Sequence, residues 1–236
     1  MGVPDTYTKS LLHMDGADTS TTFTDETGKA WTAGVNAQID TAQSKFGGAS
    51  GIFDGGSYIE AADSADWQLD GGSDSNAWTI DFWVRFNGDP GAAEMGLVQQ
   101  RQSAAEAWWF ELLNGTALRW IVRTGGAFVA VIDNNWNPAG DTWYHIALVK
   151  NGVSGYMVFV DGTQIGVTQT DVSTIPDFAG TLVVGKHTDE AAGTYYLNGW
   201  IDEFRISKGI ARWTANFTPP TAPYGATSGA IAWFWS

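Results

Sequence analysis

Cysteine is missing from all 236 residues, which removes disulfide staples, thiolate metal centres and cysteine nucleophiles together. A chain of this length buries roughly 70–75% of the surface its unfolded form exposes, so it folds without staples. Positive charge is scarce as well. Twelve Lys and Arg against 26 Asp and Glu leave a net charge of −14. That field repels phosphate backbones and anionic membranes, and it sets nucleic acid aside as a partner. No apolar run approaches the ~18 residues of a membrane span. The opening Met1-Gly2-Val3-Pro4-Asp5 has no basic stretch ahead of an apolar one, so no signal peptide is read there. Helical periodicity is nearly absent, and there is no internal repeat.

What is present is aromatic, turn-rich and stiff: 13 Trp and 29 Gly against 4 Met. Asp outnumbers Glu 19 to 7, as expected where turns and loop caps are frequent, although Asp is also the usual carboxylate of calcium loops. Short apolar runs recur between turn signals, the spacing of an antiparallel sandwich. In Trp78–Phe86 the residues Trp78, Ile80, Phe82, Val84 and Phe86 share one face, while Thr79, Asp81, Trp83 and Arg85 share the other. Trp108–Leu113 and Ala117–Arg123 read as a hairpin. Placing Glu111 opposite Arg119 requires a three-residue connection, Asn114 to Thr116, because a two-residue turn mixes the faces. This register leaves Trp109, Glu111, Arg119, Ile121 and Arg123 on one surface. A second hairpin runs from Trp143–Lys150 through Asn151-Gly152 to Tyr156–Val160, and Asp161-Gly162 turns the chain into Thr163–Thr168. Further strands are predicted at Gly51–Ile59, Gly96–Gln100, Phe128–Ile132, Leu182–Gly185 and Tyr195–Ile206. One sandwich domain is expected over 1–218, followed by an extended tail, 219–236, with an apolar end.

Five stretches occur in order: Tyr58-Ile59, Trp78–Val84, Trp143–Val149, Val158–Gly162 and Gly199–Ile206. Together they resemble the laminin G-like, concanavalin A-like jelly-roll domains over roughly residues 8 to 218. The run Ser207–Pro220 is similar to the endings of such domains in bacteriophage sequences. The resemblance implies an all-β fold of two antiparallel sheets and a role in binding glycans or proteins. It also implies a calcium ion at the sandwich edge, with Asp15 and Asp202 as ligands. The other reading of these two carboxylates is an Asx-turn before Gly16 and a backbone-bonded side chain at a strand bulge.

Catalysis is not expected. Glycoside hydrolysis needs two carboxylates held about 5–9.5 Å apart, and no Glu-x-Asp-x-x-Glu run supplies them. The adjacent Asp202 and Glu203 point to opposite faces of a regular strand. The three His are scattered, and His145 reads as a packing residue. Trp83 and Trp109 are predicted to face outward among Arg85, Glu111, Arg119 and Arg123, a set suited to stacking sugar rings and bonding their hydroxyls. Trp233, Phe234 and Trp235 are expected to dock on the chain's own sheet or on a partner. The expected protein is therefore a non-catalytic module on a virion surface or outside the cell: a phage decoration, fibre or adhesion protein. Its expected partners are protein neighbours, including copies of itself in a homo-oligomer, and polysaccharide such as host glycans. The alternatives are a purely structural virion assembly protein, and a hydrolase or lyase of the same fold.

Overall fold

The computed structural model describes residues 4–171, 173–189 and 192–225. Its strands in chain order are β1 (Thr8–Leu12), β2 (Trp31–Gly34), β3 (Gln38–Asp40), β4 (Ser50–Asp54), β5 (Tyr58–Ala61), β6 (Trp78–Phe86), β7 (Met95–Arg101), β8 (Ala107–Leu113) and β9 (Ala117–Thr124). They continue with β10 (Ala127–Asn135), β11 (Trp143–Lys150), β12 (Tyr156–Val160), β13 (Thr163–Gln169), β14 (Leu182–Val184), β15 (Lys186–Asp189), β16 (Gly193–Tyr196) and β17 (Asn198–Lys208). One sheet has eight strands in the order β13-β12-β11-β6-β17-β4-β3, with β1 paired to β17. The other has seven, β10-β9-β8-β7-β14-β5-β2, and β15-β16 form a separate two-stranded ribbon. All pairings within the two sheets are antiparallel. This is the jelly-roll sandwich that the sequence resembles.

The core forms where the inward face of β6 meets β8 and β9. Trp78, Ile80, Phe82, Val84 and Phe86 are all fully buried with Trp108, Phe110, Leu118 and Trp120. Phe82 meets Phe110 edge-on at 6.5 Å, and Trp78 lies 5.1 Å from Trp120. Such rings each remove some ~150–250 Å² from water, so this row supplies much of the sandwich's hydrophobic stabilisation.

Local turn chemistry decides the hairpins as expected. Glu111 pairs with Arg119 and Leu113 with Ala117 across the three-residue connection, in which Asn114 and Gly115 have φ of 49° and 64°. At Asp161-Gly162, φ values of 48° and 74° give the left-handed pair that matches strand twist in a two-residue hairpin, and Val160 pairs with Thr163.

Two predicted strands divide instead. Gly51–Ile59 splits into β4 in one sheet and β5 in the other, because Gly55 turns left-handed at φ 82° and Ser57 Oγ takes the Asp54 N–H at 3.0 Å. Tyr195–Ile206 likewise divides into β16 and β17. After β17 the chain crosses the outer face of the eight-stranded sheet, where Ala211, Trp213 and Phe217 cover Ala147, Val149, Met157 and Phe159. Tyr224 is also buried, so the segment from 219, expected as an extended tail, is packed on the body as far as that residue. Trp233, Phe234 and Trp235 lie outside the described residues.

The β15–β16 ribbon sits on the outer face of the seven-stranded sheet, directly over Gly96. A Cβ there would stand 2.0 Å from the His187 backbone N and 2.4 Å from the Lys186 carbonyl carbon. Gly96→Ala is expected to cost about 1–3 kcal/mol through overpacking. At Gly56 the nearest atom to an added Cβ is 3.7 Å away, and Gly56→Ala should change stability by less than about 0.5 kcal/mol. Urea unfolding of the two variants checks the contrast.

Candidate functional site

The six residues expected on one glycan-binding surface are divided between the two outer faces of the sandwich. Trp83 and Arg85 lie on β6 in the eight-stranded sheet, while Trp109, Glu111, Arg119 and Arg123 lie on β8 and β9 in the other. Neither Trp is open: Trp83 is 4% exposed and Trp109 2%. Lys45 covers Trp83 at 3.8 Å from the ring centroid, with Phe46 edge-on at 5.9 Å and His145 at 5.2 Å. Arg85 turns aside to Asp141 at 2.9 Å and stacks over Trp200 at 4.9 Å. On the other face His187 lies parallel to Trp109, with ring centroids 5.7 Å apart and planes 9° from parallel. Strand alternation assigns these side chains to the outer faces correctly, but segments distant in sequence cover those faces.

The covered face of the eight-stranded sheet holds a network of buried charges. Arg205 donates to both Asp81 oxygens, at 3.0 and 2.8 Å, and its guanidinium stacks on Tyr224 at 3.9 Å. His145 Nε2 shares a hydrogen bond with the Tyr224 hydroxyl at 2.9 Å, the packing role expected of it. Burial pushes the Asp81 carboxyl up, but Arg205 and His145 more than offset this and hold it well below the usual carboxylate range.

β17 is bulged between Asp202 and Arg205, with Glu203 in the left-handed region at φ 54°. The strand is therefore irregular where the sequence reading assumed regular alternation. Glu203 accepts from the Tyr224 backbone N–H at 2.7 Å and pairs with His13 Nδ1 at 2.7 Å. Asp202 accepts the Lys45 and Phe46 N–H groups on one oxygen, at 2.7 and 3.0 Å. Its other oxygen, Oδ1, is buried without a hydrogen bond, as is Asp15 Oδ1. Burial, with Glu203 and Asp15 nearby, pushes the Asp202 carboxyl up to about 7 against the pull of the two backbone donors. Burial raises Asp15 too, against the pull of His13. The two carboxylates singled out in the sequence thus each keep one unsatisfied buried oxygen, a feature of a cation-ready site.

The other outer face carries Glu94, Glu111 and His187, each offering a ligand atom within 4.8 Å of the others. Glu111 also accepts from Arg119 and from Trp109 Nε1. Glu111 and Arg119 pair as hairpin parity predicts, whereas no spacing rule connects Glu94 and His187 to them.

An open surface lies at the sandwich edge, where β10 and β13 approach. There a cleft of about 410 Å³ is lined by Asp133, Asn134, Asn135, Gly166, Val167 and Gln169. Gln169 Nε2 donates to the Asp133 carbonyl at 3.0 Å and to Asn134 Oδ1 at 3.3 Å, which ties the two strand edges together. Asp133 and Asn135 remain exposed, with Val131 at 44% and Val167 at 75% beside them, while Phe128, at 53%, lies at the far end of β10. Arg123 lies over the Phe128 ring at 5.2 Å. From Phe128 to Asp133 the strand spans about 15 Å. Alternating carboxylate, amide and apolar side chains along such a ledge suit a ligand with hydroxyls on one side and C–H faces on the other. Among the described residues, no helix is long and apolar enough to cross a membrane.

A family model described as the concanavalin A-like lectin/glucanases superfamily matches residues 53–212. Among solved structures, the chain is similar to botulinum neurotoxin type C, from a study of cell entry dependent upon interaction with two ganglioside molecules. The TM-score is 0.62 at 14% identity, over 86% of this chain and 48% of that one. It is similar too to the binding domain of Paraclostridial mosquitocidal protein 1, with TM-score 0.62 and 16% identity over 86% and 49% of the two chains. The binding domain of botulinum neurotoxin DC in complex with rat synaptotagmin II gives TM-score 0.60 and 13% identity over 86% and 49%. The chain spans about half the length of these neighbours, and identities this low establish the shared fold alone. No curated protein matches the chain in sequence.

The Asp81–Arg205 pair sets an acid limit. Because the folded carboxyl lies below its ordinary value, the stabilisation is complete above about pH 5 and is lost as the pH falls through and below the carboxylate range. Asp81→Asn leaves Arg205 buried without its counter-charge, so it should cost about 3–5 kcal/mol at pH 7 and flatten the loss of stability between pH 5 and 3. Urea unfolding at both ends of that range reads the difference.

Proposed function

The chain belongs to the concanavalin A-like lectin/glucanases superfamily, and on that footing we propose that it is a non-catalytic carbohydrate-binding module whose sugar site is the cleft between β10 and β13. The observation that carries this reading is the cleft itself: an open edge with exposed Asp133 and Asn135 beside Val131 and Val167. Carboxylate and amide groups bond sugar hydroxyls, while apolar side chains meet the C–H faces. The similar fold of a toxin whose cell entry depends on gangliosides, and of one solved with synaptotagmin II, supports a binding role towards glycan or protein. The buried acids favour binding over catalysis. Asp81 is neutralised by Arg205, and Glu111 by Arg119 and His187, beneath covering segments that keep them from a substrate.

The same reading includes a calcium ion held by Asp15 and Asp202. Their two unsatisfied buried oxygens fit it, and so does the closeness of Gly47, where a Cβ would overlap Asp15 Oδ1 at 1.9 Å. Carbonyls and waters would complete the six to eight oxygens that calcium takes. Bound there, the ion would neutralise the acids and fasten the N-terminal segment to β17. Display on a virion or other extracellular surface, in contact with protein neighbours, completes the proposal. Its support is the phage-like run Ser207–Pro220 and the strongly acidic composition.

A glycan array probed with the wild type should show selective binding, weakened at least tenfold by Asn135→Ala combined with Asp133→Ala. Full binding by the double variant, or release of new reducing ends from a bound polysaccharide, would sink the reading. Trp109→Ala is no substitute, since Trp109 is buried and its loss would act through stability. For calcium, millimolar ion should raise the melting temperature by several degrees. Asp202→Asn, which keeps an acceptor for the Lys45 and Phe46 N–H groups, should abolish the shift.

A further inference from the structure

The outer face of the seven-stranded sheet carries a cluster that the sugar cleft does not use. Glu94 comes from the loop before β7, Glu111 from the middle of β8, and His187 from the covering β15–β16 ribbon. His187 Nε2 lies 2.5 Å from Glu111 Oε2 and 3.4 Å from Glu94 Oε1. Glu111 Oε2 and His187 Nε2 face each other as a buried pair, at 0% and 1% exposure, with no further hydrogen-bond partner on either atom. The other Glu111 oxygen is fully engaged, taking Trp109 Nε1 at 3.1 Å together with Arg119. A carboxylate anchored in this way presents one fixed oxygen, as outer donors arrange for metal ligands. The imidazole is equally fixed, held between Trp109 and Tyr195 with centroids 5.7 and 5.0 Å away. Glu94 is 16% exposed, so one side of the cluster is open to an entering ion and a water ligand.

We propose that Glu94, Glu111 and His187 bind one divalent transition-metal ion of the zinc class, which fastens the β15–β16 ribbon to the sheet. One imidazole and two carboxylates match zinc's nitrogen and oxygen preferences, and water would take the fourth position. Calcium is disfavoured, since it wants six to eight oxygens and takes no nitrogen here. Arg119 adds a positive charge 3.8 Å from Glu94, which lowers the affinity. Bound on Glu111 Oε1, however, it leaves Oε2 to His187 and to an ion that takes the place of the proton between them.

The test uses the full chain, stripped with chelator and dialysed against micromolar zinc. Elemental analysis should find about one zinc per chain, and amide exchange across Lys186–Asp189 should slow on loading. Glu94→Gln, at the solvent rim and so compatible with folding, should lower zinc affinity at least tenfold, while Asp202→Asn should leave it unchanged. Zinc content no higher in the wild type than in Glu94→Gln overturns the proposal. So does a His187 ring that titrates as a free imidazolium in the presence of zinc, because the cluster is then a proton-held ion network.

Discussion

The covering of the eight-stranded sheet depends on one irregularity, the bulge in β17 at Glu203. A regular strand would send Asp202 and Glu203 to opposite faces, one of them into the apolar core. The extra residue, at φ 54°, lets Asp202 bind the Lys45–Phe46 loop, Glu203 bind both His13 and Tyr224, and Arg205 reach Asp81. A left-handed non-glycine residue costs of order 1–2 kcal/mol. Three segments distant in sequence are fastened at that one point, and each buried acid that they meet gains donors it would otherwise lack. Phe204, between the two halves of the bulge, still reaches the core beside Phe82 and Trp31, so the hydrophobic row is unbroken.

The same logic operates on the opposite face with different parts. There the β15–β16 ribbon lies over Trp109 and Glu111, and ring stacking with a cluster of charges replaces the backbone donors of the first face. Desolvation makes both covers cooperative. Burying a carboxylate is costly unless its partners arrive with it, so each cover must bring the cation or N–H groups that satisfy the acids beneath. Aromatic and charged side chains that alternate outward are for this reason absorbed into the structure. At the edge, by contrast, β10 and β13 approach each other across an open cleft in which Asp133 and Asn135 stay exposed.

This edge was the least visible feature in the sequence. Asp133 and Asn135 lie just beyond the strand predicted at Phe128–Ile132, and Gln169 just beyond Thr163–Thr168, and nothing in their spacing marks a cleft. Asp202 lies in one of the ordered family-like stretches, whereas Asp15 lies in none of them and entered only through what the resemblance implies. The Glu94–Glu111–His187 cluster was legible only at Glu111, whose partner across the hairpin followed from parity.

Alternation, turn residues and hairpin parity are local properties, and the sequence by itself determined them: the two faces of β6, the Glu111–Arg119 pairing and the left-handed turn at Asp161-Gly162. Period-two patterning separates one face of a strand from the other but says nothing of whether the outer face meets water or another segment. That was decided only by the tertiary structure. Residues 210–225 and the strands β15 and β16 cover those faces through contacts spanning tens to hundreds of residues, and the energy of each contact depends on partners that no local window contains. Trp83 and Trp109, alike in the sequence as outward aromatics, therefore lie buried on opposite sides of the same sandwich.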